Sequence, residues 1–306
     1  MPPPPAFSII VPLHNESEDI GPTCEALLRL EPEPEMVFVD DGSTDDTVDV
    51  LQRYLRRPSM RLIRLPANRG QGVARNAAVR AAAGDVVVFV DADVLVPSDF
   101  LRRLSAHYEQ GADYVEIASD IANLGTAYAR FADARHQWLH GGDEPIGWSQ
   151  AFSCRRELAI QAGLFPEAFP TVGEDGEFVR RLEKVSPRRA IDRSIVVSHV
   201  APDSLRGFWR QWYGRGHAIP FFRHQTQHMG WLRLLAERLA ATAWSVVRVV
   251  TVIPVVLEAR ALTARSARGG ADFLPFFALS LLHTLAHRTG EWRGLIRLGI
   301  GGGHAG

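Results

Sequence analysis

The sequence predicts an α/β fold: a doubly wound, mostly parallel sheet with flanking helices, followed by a helical apolar appendage. Two features predict the sheet. Short apolar runs alternate with helix-like segments over the first half of the chain, and these runs are nearly continuous in Val, Ile and Phe. Strands covered on both faces have this composition, and the alternation is typical of parallel strands joined by crossover helices. A shift to Leu, Ala, Val and Arg from about residue 230 predicts the appendage.

Four apolar runs are the first candidate strands, and each is followed by a helix-like segment. The runs are FSIIVPL (7–13), MVFVDD (36–41), RLIRLP (61–66) and DVVVFVDAD (85–93). The helices are expected over roughly 17–30, 44–56, 70–83 and 98–110, with Ser, Thr or Asp at several N-cap positions. Further along, DYVEIAS, GWSQAFSC and SIVVSHV are predicted strands, and RRELAIQAG and EDGEFVRRLEK are predicted short helices.

The C-terminal apolar region has two interpretations. The segment 239–257 approaches the length of about 20 residues that a membrane span needs, but Arg248 and Pro254 interrupt it, and the second run, 273–286, is shorter. We expect this region to associate with a membrane, with its arginines facing anionic lipid head groups. The alternative is an amphipathic helical subdomain packed on the rest of the protein or across a dimer. The predicted divisions are a disordered N-terminus (1–6), an α/β domain (7–220), a helical, membrane-associated region (221–298) and a flexible tail (299–306).

Charge and cysteine content narrow the function classes. The 306 residues include 34 Lys and Arg and 35 Asp and Glu, which gives a net charge of −1. Because nucleic-acid binding usually requires a basic excess, no nucleic-acid partner is expected. Cys24 and Cys154 fit no metal or redox spacing, which favours a reducing compartment. The segment MPPPPAF lacks the charged and apolar regions of a secretory signal, so none is expected.

Polar residues follow all four candidate strands, at the point where each strand ends. They are HNE, DDGS, NRG and DAD, in chain order. In doubly wound sheets a ligand lies beyond the carboxyl ends of the strands. The sequence therefore predicts one binding site at this edge of the sheet.

The acidic pair Asp91 and Asp93 is the clearest candidate for metal binding. In an extended chain alternate side chains share a face, so the two carboxylates project together. Hard oxygen ligands suit a divalent cation such as Mg²⁺ or Mn²⁺, with phosphate oxygens completing the shell. The alternative interpretation is a solvated turn that contains two acids.

Two other strand-end segments predict contacts with a nucleotide. Asp41 could accept a hydrogen bond from a nucleobase N–H, or it could be a helix N-cap. In NRGQGVARN, Gly70 is expected to turn the chain into a helix that brings Arg75 near the phosphates. The alternative for Arg75 is a surface position on an amphipathic helix. Gly70 and Gly72 match only part of a dinucleotide fingerprint, because no third glycine follows at the required place.

Acidic and histidine residues far downstream supply the remaining candidates. Glu174 and Asp175 follow a glycine at a predicted helix start, and a carboxylate there is a candidate general base. Adjacent side chains point in different directions, so only one of the two is expected to reach the reacting hydroxyl. The alternative is helix capping. His199 ends a predicted strand and is either a metal ligand or a structural histidine.

These motifs, taken in order, resemble family 2 glycosyltransferases of the GT-A fold. The resemblance covers about residues 6–220 and rests on IIVPLHNE, VDDGSTDDT, NRGQGVARN, DAD, GWSQAFSCRRELAIQAGLFPE, GEDGEF and SHV. It implies a nucleotide-diphosphate sugar donor bound at the sheet edge and a divalent cation, Mg or Mn. It also implies displacement of the nucleotide by an acceptor hydroxyl, with inversion.

The resemblance also implies roles for individual residues. Asp175 matches the catalytic base, with Glu174 beside it. Asp91 resembles the acid that faces the ribose or metal, and Asp93 the one that bridges the metal to the diphosphate. The residues expected in the donor or metal site are Pro12, Glu16, Asp41, Gly70, Arg75, Asp91, Asp93 and His199. The residues expected on the acceptor side are Trp148, Gln150, Gln211, Trp212 and Arg215.

The function expected from the sequence is the addition of one sugar to a lipid-linked or cell-envelope glycan. Gln211, Trp212 and Arg215 depart from the Q-x-x-R-W pattern of processive synthases, which argues for a single addition. The acceptor is expected to be polyprenyl-linked, at the cytoplasmic face of a bacterial-type plasma membrane; a soluble cytoplasmic location is the alternative. The sugar, the nucleotide beyond UDP or GDP, and the oligomeric state are not predicted.

Two other functions are compatible with parts of the sequence. A sugar-phosphate nucleotidyltransferase also uses paired acids, a metal and an α/β sheet. It usually opens with a glycine- and lysine-rich loop, and VPLHNESED has neither residue. An inactive nucleotide-sugar-binding module is the other alternative. Loss of the D-x-D pair or of the late acid pair would indicate it, and both pairs are intact.

Overall fold

The structure is a computed structural model that describes residues 5–140, 152–167 and 173–301. The chain divides into two compact units. The first consists of Met1–Asp120, Pro145–Ala168 and Glu174–Val200, and the second consists of Ile121–Glu144, Phe169–Gly173 and Ala201–Gly306.

The described residues form one eight-stranded sheet. The strands are β1 (Phe7–Leu13), β2 (Glu35–Asp40), β3 (Met60–Arg64), β4 (Val86–Phe89), β5 (Val94–Leu95), β6 (Tyr114–Ile121), β7 (Ser153–Arg155) and β8 (Arg189–His199). Their order is β3-β2-β1-β4-β7-β6-β8-β5. Strands β3, β2, β1 and β4 are parallel, as the sequence predicts, whereas β7 pairs antiparallel with both β4 and β6, and β5 pairs antiparallel with β8.

Helices cover both faces of the sheet, which is the doubly wound arrangement. Strand β1 buries all seven of its residues. Its alternate side chains enter two cores: Ile9 and Val11 pack on one face and Ile10 on the other. The helices that contribute to the first core are α1 (Ile20–Leu27), α2 (Thr47–Gln52) and α4 (Phe100–Glu109); those that contribute to the second are α3 (Gln71–Ala81), α6 (Arg156–Gln161) and α7 (Glu174–Val185).

The second unit is helical. Its helices are α5 (Ala127–His140), α8 (Leu205–Gln227), α9 (Trp231–Thr251), α10 (Ile253–Thr263) and α11 (Phe273–Gly301), with a 3-10 turn at Gly269–Asp272. The domain boundary expected at residue 220 falls inside α8. The reason is that α8 packs along α11, so its whole length groups with the helical unit.

Three glycines allow α8 and α11 to approach at backbone distance. A Cβ atom on Gly216 would overlap the carbonyl oxygen of His287. A Cβ on Gly290 would overlap the carbonyl oxygen of Tyr213, and one on Gly294 that of His217. No other residue type fits this crossing without moving a helix apart.

The apolar C-terminal segments form one bent helix pair and one long helix. Val252 has a left-handed φ of 62° between α9 and α10, and the two helices bend by 83° there. The break falls between Arg248 and Pro254, the two residues that interrupt the run in the sequence. The run 273–286 is part of a longer helix, and Gly269–Gly299 is long and apolar enough to cross a membrane.

Candidate active site at the carboxyl ends of the strands

The parallel strands bring their polar terminal residues to one edge of the sheet. Strands β1, β2 and β4 are neighbours and point the same way. The backbone N–H of Asp41, directly after β2, donates to the carbonyl oxygen of Leu13 at the end of β1 (2.8 Å). Asp91 follows β4 at the same edge. The single edge expected from the motif positions is therefore present.

Arg75 joins two acids that are far apart in the chain. One terminal nitrogen of its guanidinium donates to Oε1 of Glu174 (2.6 Å), and the other donates to Oδ1 of Asp91 (2.8 Å). The second nitrogen also donates to Oε1 of Gln71, one turn earlier on α3 (3.1 Å). Arg75 is fully buried and Glu174 is 4% exposed. The late acid pair therefore converges with the D-x-D segment.

Burial and mutual charge determine the ionisation of this group. Burial raises the pKa of Asp91; the Arg75 guanidinium opposes this, and Asp93 adds to the increase. Burial likewise raises the pKa of Glu174, again against Arg75 and with a contribution from Asp175. Burial acts to lower the pKa of Arg75, but Asp91 and Glu174 outweigh it and raise that pKa. The arginine therefore stays charged and compensates buried Glu174 and half-buried Asp91.

The position of Arg75 excludes one of its two sequence-based interpretations. The motif predicted a phosphate contact, with a surface arginine as the alternative. The guanidinium lies between two carboxylates and the residue is fully buried, so the surface alternative is wrong, whereas the phosphate contact stays a prediction. Carboxylate neutralisation explains why an arginine is buried here, since an isolated buried charge is costly.

Glu174 and Asp175 point in different directions from the first turn of α7. Gly173, with a φ of 106°, turns the chain into this helix. Glu174 faces inward to Arg75, whereas Asp175 is half-buried and its Oδ1 accepts from the N–H of Gly176 (2.8 Å). Of the two acids, Asp175 is therefore the one with exposed surface. Its role as the base stays a prediction.

Asp93 and His199 form a second polar pair. The antiparallel pairing of β5 with β8 brings them together, and Nε2 of His199 lies 2.9 Å from Oδ2 of Asp93. Within the described ranges, no group of three or more His, Cys, Asp and Glu side chains could hold a metal ion. Asp91, the third predicted ligand, accepts a hydrogen bond from Arg75 through Oδ1, and its role as a metal ligand stays a prediction. Two protein ligands nevertheless fit a Mg²⁺ or Mn²⁺ ion that keeps water and phosphate oxygens in its shell.

Asp41 fixes the loop that follows β3. Its carboxylate accepts from the backbone N–H groups of Arg69 (2.8 Å) and Gly70 (2.7 Å), and the residue is 3% exposed. A Cβ on Gly42, which has a φ of 69°, would lie 2.7 Å from the backbone of Ala67. The predicted nucleobase contact stays a prediction, and the N-cap alternative is not observed, because Asp46 occupies that position of α2.

The first two strand-end loops are also joined by hydrogen bonds. Asn15 has a left-handed φ of 59°, and its side-chain oxygen accepts from the N–H of Thr44 (2.8 Å). The N–H of Glu16 donates to Oγ1 of Thr47 (2.7 Å), and Pro12 is buried within β1. Sequence reasoning selected Pro12 and Glu16 but missed Asn15. The asparagine in HNE was the available signal, because Asn tolerates this backbone conformation.

The acceptor-side candidates divide between two parts of the chain. Trp148 and Gln150 lie outside the described residues. Gln211, Trp212 and Arg215 lie on α8 of the helical unit. Trp212 is 5% exposed, and the guanidinium carbon of Arg215 lies 4.8 Å from its ring centroid. Their contact with an acceptor stays a prediction.

Comparison with known proteins matches both the sequence and the fold. Residues 8–156 match the family model described as Glycosyl transferase family 2. The chain is 31% identical over 259 residues to the poly-beta-1,6-N-acetyl-D-glucosamine synthase of Staphylococcus epidermidis, covering 78% of this chain and 62% of that protein. It is 38% identical over 114 residues to the undecaprenyl-phosphate 4-deoxy-4-formamido-L-arabinose transferase of Pseudomonas syringae pv. syringae (strain B728a), covering 35% and 34%. The chain spans less than two thirds of the length of either relative.

Two solved structures share the fold. A mannosyltransferase of Pyrobaculum calidifontis, in complex with GDP-Man and Mn²⁺, has a TM-score of 0.58 and 19% identity, covering 100% of this chain and 77% of that chain. Residues 1–349 of S. aureus TarS, in complex with UDP-GlcNAc, have a TM-score of 0.54 and 19% identity, covering 96% and 92%. At this identity the likeness concerns the fold alone, and the predicted GT-A fold is confirmed.

Proposed function

We propose that this chain, which belongs to glycosyl transferase family 2 through residues 8–156, transfers one sugar from a nucleotide-diphosphate sugar to an acceptor hydroxyl with inversion. The bonds from Arg75 to both Asp91 and Glu174 carry the proposal. They bring the D-x-D segment and the first turn of α7 to one site, so a donor group and an acceptor base can act on the same sugar. The names of two relatives, an undecaprenyl-phosphate transferase and a polysaccharide synthase, support a lipid-linked or cell-envelope acceptor.

Asp175 is the proposed base. Its carboxylate takes the proton of the acceptor hydroxyl while that oxygen attacks the anomeric carbon. The bond from this carbon to the diphosphate oxygen breaks, and the bonding electrons leave with the nucleoside diphosphate. Single displacement from the opposite side inverts the configuration, and correct positioning of the two reactants supplies much of the rate.

Asp93 and His199 are the proposed holders of a divalent cation, Mg²⁺ or Mn²⁺. When bound, the ion supplies Lewis-acid neutralisation of the charge on the leaving diphosphate. The Mn²⁺ in the related mannosyltransferase structure is in line with this choice of ion. Arg75 acts as a positioning residue, because it neutralises Asp91 and Glu174 and so limits their repulsion of a diphosphate.

The donor pocket is proposed at the loops after β1, β2 and β3. Pro12 and Glu16 border it from the first loop, and Asp41 holds Gly70 in place from the second. Asp41 retains lone pairs that could accept a base N–H, since each carboxylate oxygen has two. Trp148, Gln150, Gln211, Trp212 and Arg215 are proposed on the acceptor side.

The helical unit is proposed to lie on a membrane surface, at the cytoplasmic face of a plasma membrane. Part of its charge is paired inside the unit: buried Arg238 pairs with Glu291 (2.7 Å), and buried Arg130 pairs with Asp272 (2.8 Å). Its exposed side chains on the bend of α9 and α10 are apolar, with Val250 74% exposed. Apolar groups outside and ion pairs inside suit a lipid environment better than water.

The arginines of this region divide into two groups. Arg248, which interrupts the apolar run, pairs with buried Glu258 inside the unit. Arg260, Arg265 and Arg268 are exposed beyond the bend. These three residues are the proposed contacts with anionic head groups.

Nucleotide release tests the proposed function. The full chain with Mn²⁺ is incubated with a panel of UDP- and GDP-sugars, with and without a polyprenyl-phosphate-linked acceptor, and free UDP and GDP are measured. We expect slow release from one donor alone and faster release with acceptor. Failure of every donor to bind or to release nucleotide would exclude the proposal. A product in which a nucleotide is joined to a sugar phosphate would indicate a nucleotidyltransferase instead.

A further inference from the structure

The helical unit contains a buried cluster of cationic and aromatic side chains centred on Trp212. The guanidinium carbons of Arg135 and Arg215 lie 5.2 and 4.8 Å from the centroid of the Trp212 ring. The ring of His283, on α11, meets Trp212 edge-on, with 4.4 Å between centroids. Trp212 is 5% exposed and His283 is 9% exposed. We call these four residues the Trp212 cluster.

Among the described residues of this unit, single buried carboxylates are shared between two arginines. Glu258 pairs with both Arg135 (2.8 Å) and Arg248, so one buried carboxylate serves two guanidinium groups. Deeper along α11, Glu291 is shared in the same way by Arg238 and Arg288. Two guanidinium groups, those of Arg135 and Arg248, therefore share the single carboxylate of Glu258. Because buried charge is costly unless it is compensated, this arrangement favours the binding of an anion.

The cluster also contains buried polar atoms with no hydrogen-bond partner among the described residues. They are Nε1 of Trp212, Nε of Arg135 and both ring nitrogens of His283. The hydroxyl of Ser280, one turn before His283 on the same face of α11, is also buried without a hydrogen-bond partner among the described residues. Buried polar groups in folded proteins nearly always have a partner. Most of these atoms are donors, so the missing partner is an acceptor-rich group.

We propose that the Trp212 cluster binds the phosphate or diphosphate group that joins a lipid-linked acceptor to its prenyl chain. A phosphate group is anionic and presents several acceptor oxygens, which matches both the charge and the donors of the cluster. The exposed apolar side chains of α9 and α10 provide, in the same unit, a surface suited to the prenyl chain. This inference rests on the proposed function only for the acceptor class.

The half-buried position of Arg215 makes it the residue to change. Binding of farnesyl phosphate to the full chain is measured by calorimetry in the parent and in Arg215→Gln, with Arg206→Gln, exposed on the same helix, as the matched control. We expect Arg215→Gln to weaken binding by about tenfold or more, the usual size of a lost charge-assisted bond. Arg206→Gln should bind like the parent. Trp212→Phe, which keeps the ring packing but removes Nε1–H, should also weaken binding.

Two further ligands, farnesol and inorganic phosphate, separate the possible outcomes. Farnesol should bind much more weakly than farnesyl phosphate, and inorganic phosphate should bind weakly but compete with it. Equal affinity of Arg215→Gln and Arg206→Gln, or of farnesol and farnesyl phosphate, would overturn the inference. Inorganic phosphate binding as tightly as farnesyl phosphate would also overturn it, in favour of a site for the free anion.

UDP binding with Mn²⁺, measured in the same samples, reports on the donor site. If Arg215→Gln and Arg206→Gln bind farnesyl phosphate equally and UDP binding is intact, the result counts against this inference alone. If no donor nucleotide binds but Arg215→Gln still binds farnesyl phosphate more weakly than Arg206→Gln, the result counts against the proposed function alone.

Discussion

Asp91 and Glu174 hydrogen-bond to the two terminal nitrogens of one guanidinium, that of Arg75. One acid lies just beyond β4 and the other begins α7, so a single side chain fixes the distance between two parts of the site. Without a partner, removal of the charge from water would be costly for buried Glu174 and partly so for half-buried Asp91. Their shared arginine makes the acidic site compatible with a folded core.

Removal of the arginine should therefore destabilise the whole α/β unit. Arg75→Gln leaves two acids without their counter-charge, and breaking a buried ion pair costs about 3–5 kcal/mol. Arg80→Gln, at an exposed position of the same helix, is the control. The free energy of unfolding is measured by urea denaturation. A loss in Arg75→Gln no larger than in the control would show that the arginine is not needed for stability.

Substitutions of the two adjacent acids of α7 should have different effects on the transfer rate and on the free energy of unfolding. Asp175→Asn is expected to lower the transfer rate by about 10²–10⁴-fold, the usual contribution of a general base, with an unchanged free energy of unfolding. Glu174→Gln should lower stability as well, because it removes the carboxylate from Arg75. Glu183→Gln, exposed on the same helix, should change neither quantity. Transfer by Asp175→Asn at the parent rate would exclude Asp175 as the base.

The additional stabilisation that Mn²⁺ gives to the UDP-bound protein should depend on Asp93 and His199. In the parent protein, UDP with Mn²⁺ should raise the melting temperature more than UDP alone, because ligands that bind only the native state stabilise it. Asp93→Asn or His199→Ala should remove this difference, whereas Asp120→Asn, exposed at the end of β6, should keep it. A full Mn²⁺ effect in both site variants would place the ion elsewhere.

Stability at low pH should depend in part on Asp192. Its partial burial acts to raise its pKa, but hydrogen bonds from Ser194 and His107 outweigh this and lower the pKa to about 2, from 3.8. Because the folded-state pKa is lowered, the contribution is fully present above the unfolded-state value and is lost as pH falls toward 2.

The variant Asp192→Asn tests this contribution. It should be slightly less stable than the parent at pH 7, by about 0.5–1.5 kcal/mol, the net contribution of a typical hydrogen bond. Thermal melts of both proteins should converge between about pH 4 and pH 2. A stability difference that stays constant over this range would contradict the assignment.

Membrane binding should depend on the exposed apolar bend between α9 and α10. Val250 and Ile253 are 74% and 65% exposed there. Replacing either by Glu should reduce sedimentation with anionic vesicles by about tenfold or more, since each buried aliphatic side chain contributes about 1.5–3 kcal/mol. Ile191→Glu, at an exposed apolar position of β8, is the control. Full recovery of the parent protein in the soluble fraction with such vesicles would exclude membrane binding.

The parallel part of the sheet was predictable because its signals are local. Apolar runs separated by helix-like segments indicate β1 to β4 without knowledge of their partners. The antiparallel pairing of β5 with β8 was not predictable. Strand β5 has two residues, and its pairing depends on a segment about a hundred residues downstream.

The candidate site shows the same limit. The motifs place Arg75 and Glu174 in one site, but a pattern of residue types does not indicate which side chains are buried against each other. Arginine is ordinarily a surface residue, so the inward direction of Arg75, Arg238 and Arg248 was not foreseen. The Trp212 cluster was missed for the same reason, since it joins three helices that are distant in sequence.

Gly216, Gly290 and Gly294 allow α8 and α11 to touch. Trp212 lies one turn before the first of these glycines, and His283 lies two turns before the second. A methyl group at any of the three would act as a spacer and would widen the gap between the indole and imidazole rings. Replacing each of these glycines by alanine should therefore increase the distance between the Trp212 and His283 rings without altering any polar atom of the cluster.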